Sequence, residues 1–160
     1  MARAGFRIGT AQSAADLREV AGLVADYAAS LPIDLSYQDF AAELAGLPGK
    51  YAPPRGALLI ARGAAGAALG CIALRPLDEP GICEMKRLYV RPEARGTGLG
   101  KALAEAIVAA ARERGYAEMR LDTLESMAGA IALYERMGFA RIAPYYAPTP
   151  EGTVFMGLRL

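Results

Sequence analysis

The stretch VRPEARGTGLGKALAEAI, Val90 to Ile107, decides how this sequence is read. Arg95 to Lys101 packs three glycines and two cations into seven residues. After it, Leu99, Ala102, Leu103, Ala106, Ile107 and Ala110 keep the rhythm of one buried helix face, and Gly115 supplies the C-terminal stop. The pattern predicts a loop of nearly bare backbone opening onto a helix. A helix N-terminus presents unpaired N–H groups and the positive end of the macrodipole, and residues without Cβ let a phosphate approach several amides at once. A pyrophosphate fits such a loop; a glycine-rich turn with no ligand is the alternative. Two common phosphate motifs fail on spacing. GxGxxG from Gly96 needs glycine at position 101, where Lys101 stands, and GxxxxGK[ST] ending at Lys101 needs glycine at 95 and a hydroxyl at 102, where Arg95 and Ala102 stand.

Working outward, FRIGTA (6–11) reads as a first strand and a helix follows from Ala14 to Ser30 with Ser13 as N-cap, stopped by Pro32. SYQDFAAELAGL (36–47) offers a second, shorter helix capped by Ser36. GALLIAR and AALGCIALRPL flank the turn GAAG as a hairpin, and ICEMKRLYV (82–90) is a fourth strand ended by Pro92. Beyond the glycine loop and its helix come a strand at AEMRLDT (117–123), a fourth helix from about Met127 to Met137, and two last strands at ARIAPYY (140–146) and TVFMGLRL (153–160). The chain, 160 residues long, is expected to form one domain over 1–160: an α+β fold with a mixed, mostly antiparallel central sheet of about seven strands and four helices.

Eighteen Lys plus Arg against seventeen Asp plus Glu leave a formal charge of +1 with no long run of either sign, which argues against nucleic acid or a membrane surface as partner. No stretch approaches the ~20 apolar residues of a membrane span, and no secretory leader is recognisable, so a cytoplasmic protein is expected. Cys71 and Cys83 lack metal-ligand spacing and read as buried thiols. The sequence has no histidine, which removes the commonest general base and imidazole metal sites; no metal is expected. Proton transfer must then use a carboxylate, Tyr, Lys, Cys or water.

RGTGLGKAL resembles the acyl-CoA signature [RQ]-x-x-G-x-[GA] of the GNAT superfamily of N-acetyltransferases, with Arg95, Gly98 and Gly100 in the signature places. KRLYVRPEARGTGLGKAL and AIALYERMGFARI both look like that family's wording, in the expected order, and the element order is similar to its acyl-CoA N-acyltransferase fold across the whole chain. The resemblance implies transfer of an acetyl group from acetyl-CoA directly to an amine. It implies that the amides of Arg95, Gly96, Thr97, Gly98, Leu99, Gly100 and Lys101 cradle the CoA pyrophosphate, and that the fourth and fifth strands splay so that main chain near Leu88, Tyr89 and Val90 pairs with the pantetheine arm. Tyr134 takes the place of the tyrosine that protonates the departing thiolate; otherwise it is a core aromatic sharing a face with Met127, Ala130 and Ile131. Glu84 takes the place of the glutamate that deprotonates the amine through water; otherwise it is an ion pair on a sheet face shared with Lys86, Leu88 and Val90. Asp122 is a second candidate base. Where many members carry a CoA-contacting Asn this chain has Met127; Ser126 either substitutes for it or caps the helix, with Ala130 one turn on. That departure leaves a non-catalytic acyl-CoA-binding module as the competing reading.

For the acceptor, SLPIDLSYQDF (30–40) offers Leu31, Ile33, Leu35, Tyr37 and Phe40 with the acid Asp34 among them, either as a fairly apolar pocket with one charge for an ammonium or as packing between helices. YYAPTPEG (145–152) either closes the opposite rim or joins two strands. A small amine is expected as acceptor, and the apolar final strand makes a homodimer plausible.

Overall fold

The computed structural model describes residues 5–31 and 40–160. Seven strands form one sheet: β1 (Phe6–Thr10), β2 (Ala57–Gly63), β3 (Ala68–Pro76), β4 (Ile82–Val90), β5 (Glu118–Leu124), β6 (Ala140–Arg141) and β7 (Thr153–Arg159), in the spatial order β1-β2-β3-β4-β5-β7-β6. Every neighbouring pair is antiparallel except β4 with β5. Four helices accompany it: α1 (Ala14–Ser30), α2 (Phe40–Ala45), α3 (Leu99–Glu113) and α4 (Ala128–Arg136). The expected mixed, mostly antiparallel sheet with four helices is what forms.

The sheet divides two hydrophobic cores. On one face Leu103, Ile107 and Ala111 of α3 and Ile131 and Tyr134 of α4 pack against Ile72, Leu74, Met85, Met119 and Met156. On the other, Val20, Leu23 and Val24 of α1 pack against Leu58, Ile60, Cys71, Ala73 and Tyr89. The central strands are therefore buried on both faces, which is why β3 reads as a nearly continuous apolar run rather than an alternation. Both thiols are buried, and burial pushes each up to about 12, so neither is a nucleophile at neutral pH.

Helix α1 begins with a capping box. Ser13 Oγ accepts the Asp16 N–H at 3.0 Å, and Asp16 Oδ2 accepts the N–H groups of Ser13 (3.3 Å) and Gln12 (3.0 Å). Arg62 of β2 adds pairs to Asp16 (2.6 Å) and Glu19 (2.7 Å), tying helix to sheet. The Gln12 N–H above all, then Arg62 and the Ser13 N–H, hold the Asp16 carboxyl down at about 2. Because its folded-state value lies below the unfolded one, its stabilisation is complete above the ordinary 3.8 and is lost as pH falls toward about 2. Asp16→Asn should therefore lower the urea midpoint at pH 7 and flatten the acid limb between pH 4 and pH 2, a comparison read from urea titrations over pH.

Three expectations change. The strand placed at ARIAPYY shrinks to Ala140–Arg141, because Pro144 cannot donate to a ladder and Tyr145 and Tyr146 turn their hydroxyls to the carboxylates of Glu84 and Asp122. Strand β7 is not a bare terminal edge: β5 covers one side of it along its whole length and β6 the middle of the other. The N-cap of α4 is Met127, with no side-chain capping bond, so Ser126 does not cap it. Pro32, Ile33, Asp34, Leu35, Ser36 and Tyr37, and with them the expected cap of the second helix and most of the acceptor wall, lie outside the described residues, as does the side chain of Phe40. Among the described residues no helix is long and apolar enough to cross a membrane.

Candidate active site

The site forms where the one parallel pair of strands comes apart. Strands β4 and β5 pair only over Ile82↔Glu118, Cys83↔Met119 and Glu84↔Arg120. From Met85 and Leu121 onward the two edges diverge around a cleft lined by Met85 to Leu88, Leu121 to Leu124, Met127, Ala130 and Tyr134, with Tyr27 and Leu31 of the α1 end on its rim. The splay that the family resemblance implied is thus present.

A bulge marks the divergence. Against β3, Cys71 faces Tyr89 and Ala73 faces Lys86, so Arg87 and Leu88 share Ile72 as partner. Arg87 takes a φ of 62°, a left-handed conformation costly for a residue with a Cβ. Contacts to Glu43 and Cys71 are among those that hold it. Its guanidinium grips Glu43 of α2 through Nε (2.7 Å) and a terminal nitrogen (2.9 Å), and its carbonyl accepts from Cys71 Sγ at 3.4 Å. Burial raises the Glu43 carboxyl, but Arg87 outweighs it and the group sits below its ordinary value, so the pair is charged. A bulge bends a strand and sharpens its twist, and this one lies where β4 leaves its parallel partner.

The bulge also overturns the expected alternation. Glu84 shares its face with Lys86, Arg87 and Tyr89, whereas Leu88 and Val90 turn to the α3 side with Met85. Glu84 is fully buried on the last paired rung, outside the cleft lining. Arg75 Nε donates to its Oε1 (2.8 Å), Tyr145 O–H to its Oε2 (2.5 Å), and Lys86 Nζ stands 3.7 Å away. Burial pushes this carboxyl up, but Lys86, Tyr145 and Arg75 together hold it below its ordinary value. Lys86 bridges onward to Asp122 at 3.7 Å, and Tyr146 O–H donates to Asp122 Oδ2 at 2.6 Å. Asp122 and Lys86 do line the cleft.

Tyr134, on α4, faces the same cleft, its ring against Phe139 with centroids 5.7 Å apart. Burial chiefly, with Tyr27 and Asp122 adding, pushes its phenol well above the ordinary value. It is therefore protonated at neutral pH. No protein group among the described residues takes a hydrogen bond from it. Ala130 lies beside it on the cleft wall, while Ser126 is exposed and outside the lining.

At the glycine loop, Gly96 (φ 79°) and Gly98 (φ 85°) are left-handed, and a Cβ on either would point into open space. Backbone bonding stops at Arg95 N–H to Pro92 O (3.2 Å) and resumes at Ala102 N–H to Gly98 O (3.0 Å). Between them, the amides of Gly96 to Lys101 donate to no acceptor among the described residues. Side chains brace the turn instead: Thr97 Oγ1 donates to Ala94 O (2.6 Å), Arg95 Nε to Val90 O (3.1 Å), and the Arg95 guanidinium lies 5.9 Å from the Tyr89 ring centroid. Leu99 is buried in the core and fixes the first turn of α3, while Lys101 is exposed. Tyr89 turns away from the cleft into the α1-side core.

Residues 23–139 match the acetyltransferase (GNAT) family. The chain belongs to that family. Among GNAT relatives, an uncharacterised N-acetyltransferase of Schizosaccharomyces pombe is 43% identical over 145 residues, covering 91% of this chain and 89% of that protein. A structure described as an acyl-CoA N-acyltransferase of Klebsiella pneumoniae is 32% identical, covers 99% of each chain and superposes with a TM-score of 0.75. An acetyltransferase structure of Salmonella typhimurium with its cofactor acetyl-CoA shares the fold, with a TM-score of 0.66 at 20% identity over 97% of this chain and 94% of that one. GNAT membership makes this chain an acyltransferase.

The Glu84–Lys86 ion pair expected on this sheet face is present, but it belongs to a larger network with Arg75, Tyr145, Tyr146 and Asp122 that no local pattern marks. In the sequence Glu84 and Asp122 carry a signal as acids on adjacent strands near their parting, and Lys86 as the cation two residues from Glu84.

Proposed function

We propose that the chain transfers an acetyl group from acetyl-CoA directly to the primary amine of a small molecule. The observation that carries this reading is the row of unengaged amides from Gly96 to Lys101, at the mouth of a helix and next to the strand that borders the split. Residues without Cβ at 96 and 98 leave room for a diphosphate, and the amides and helix dipole supply its counter-charge. The open edge of β4 near Leu88 and Val90 is suited to pairing with the amide-bearing pantetheine arm as an added strand.

In the transfer the amine nitrogen attacks the thioester carbonyl, the C–N bond forms and the C–S bond breaks. An amine with a pKa near ~10 must first lose a proton, and the thiolate must gain one. Asp122, the carboxylate on the cleft wall, takes the ammonium proton and passes it to solvent; Tyr134, held protonated by burial, gives its own to the sulfur and is reprotonated through solvent, which takes up the second proton the nitrogen sheds as the C–N bond forms and the C–S bond breaks. Glu84, with both oxygens engaged behind Lys86, acts as a positioning residue that fixes Lys86 and through it Asp122.

Thiol release with acetyl-CoA over a panel of butylamine, phenethylamine, spermidine and amino-acid amides tests the activity. Binding of acetyl-CoA without release on every amine would instead support a binding module. Asp122→Asn should cost ~100-fold in kcat/KM at pH 7, partly recovered at high pH as free amine accumulates. Glu84→Gln should cost less. A pH profile for Asp122→Asn superimposable on wild type would remove Asp122 from the mechanism.

A further inference from the structure

We propose that Tyr146 keeps the proton-accepting oxygen of Asp122 occupied until an acceptor ammonium displaces it, and so sets the enzyme's affinity for its acceptor. This rests on the reading of Asp122 as the base. The two oxygens of Asp122 differ in their neighbours: Oδ1 faces Lys86 Nζ at 3.7 Å, whereas Oδ2 takes the Tyr146 O–H at 2.6 Å. Beside Oδ1 the Lys86 ammonium repels an arriving cation, so Oδ2 is the oxygen left to an acceptor ammonium for a direct, short hydrogen bond. At Oδ2 that position is held by a neutral donor of the same polarity.

The segment that carries the phenol is suited to yield. Pairing of β6 with β7 ends at Arg141, and β7 begins at Thr153, so the chain from Ile142 to Gly152 crosses as a strap outside the ladder. Main-chain bonds fasten its two ends, Ile142 N–H to Phe155 O at 2.9 Å and Glu125 N–H to Gly152 O at 2.8 Å, and between them aromatic side chains hold it. Tyr145 and Tyr146 pack on Phe155 with centroids 5.1 Å and 5.4 Å apart and on each other at 5.5 Å, and their hydroxyls reach Glu84 and Asp122 respectively. Phe155 is the cross-strand partner of Asp122 on β7, so the rings stand over the carboxylate. Tyr146 is half-buried, and turning its O–H about the C–O bond releases Asp122 Oδ2 while the ring stays on Phe155.

The exchange follows simple ordering of hydrogen-bond strength. A phenol O–H to a carboxylate is assisted by one charge; an ammonium to a carboxylate is assisted by two, and prevails. The phenol bond must nevertheless be broken at each binding event, and this weakens apparent acceptor affinity. An uncharged acceptor gains nothing in return, so the arrangement selects for cationic amines.

Tyr146→Phe tests this, since it keeps the ring and removes only the hydroxyl. With acetyl-CoA saturating and the fastest amine of the panel above as acceptor, KM for the amine should fall by about 3-fold or more while kcat is retained. An unchanged or raised KM would overturn the inference; a merely structural tyrosine has no means of lowering KM when its hydroxyl is deleted. Asp122→Asn tests the underlying reading separately, because wild-type rates in that variant remove Asp122 as base whatever Tyr146 does. In the Asp122→Asn background the KM effect of Tyr146→Phe should disappear, and its persistence would also overturn the inference. No thiol release by wild type with any amine would remove both.

Discussion

Tyr134→Phe is expected to lower kcat by ~10-fold or more while acetyl-CoA affinity stays within about 2-fold of wild type. The ring's packing on Phe139 and its place in the core beside Ile131 survive the substitution, so folding is not at issue. Only the hydroxyl is lost. Burial keeps that hydroxyl protonated through the whole neutral range, and no protein group among the described residues competes for its proton, which leaves it available to a departing sulfur. Steady-state kinetics with acetyl-CoA, together with a binding isotherm, separate the two effects. An unchanged kcat would reassign Tyr134 to packing.

The second large effect is expected at the turn into α3, where Gly98→Val should weaken acetyl-CoA binding by roughly 10-fold or more. Gly98 has a φ of 85°, and a side chain in the left-handed region costs about 1–2 kcal/mol, with β-branched residues tolerated least. The turn would relax toward negative φ and re-aim the amides on either side of it. No neighbour lies within 4 Å of a Cβ at this position, so the loss arises from backbone geometry and from the side chain standing where a phosphate would come, not from a clash with the core. Lys101→Ala, at an exposed cation in the same loop, should change affinity by less than about 3-fold if main-chain donors rather than side-chain charge do the binding. Isothermal titration of both variants decides between those sources; a larger loss for Lys101→Ala than for Gly98→Val would place the grip on the side chain.

Much of this architecture is legible in the residues because local signals and tertiary burial agree. Ser13 with Asp16 three residues on marks the start of α1, the apolar rhythm from Leu99 to Ala110 marks α3, and ICEMKRLYV is β4 from end to end. The glycine loop is legible for a similar reason, since alternating residues without Cβ restrict where the chain can turn. The site's interior is not. Nothing in the order of residues marks the bulge at Arg87, because its positive φ is held by Glu43, 44 positions away, and once the bulge exists the alternation that would place Glu84 with Leu88 and Val90 no longer holds. Tyr145 and Tyr146 mislead in the same way. Their β propensity suggests a strand, but burying carboxylates without hydrogen-bond donors is costly, and satisfying Glu84 and Asp122 draws both phenols out of the ladder. Pairings between distant residues decide these positions, and a local pattern cannot carry them.

The central claim is that bare main-chain donors between Gly96 and Lys101 hold the diphosphate of a coenzyme thioester. A crystal structure of the protein with acetyl-CoA tests it most directly. The account predicts diphosphate oxygens within hydrogen-bonding distance of several of those six amides, and an acetyl carbonyl in the split between β4 and β5 near Tyr134. A diphosphate bound elsewhere on the protein, or those amides turned toward protein acceptors with the coenzyme in place, would contradict it.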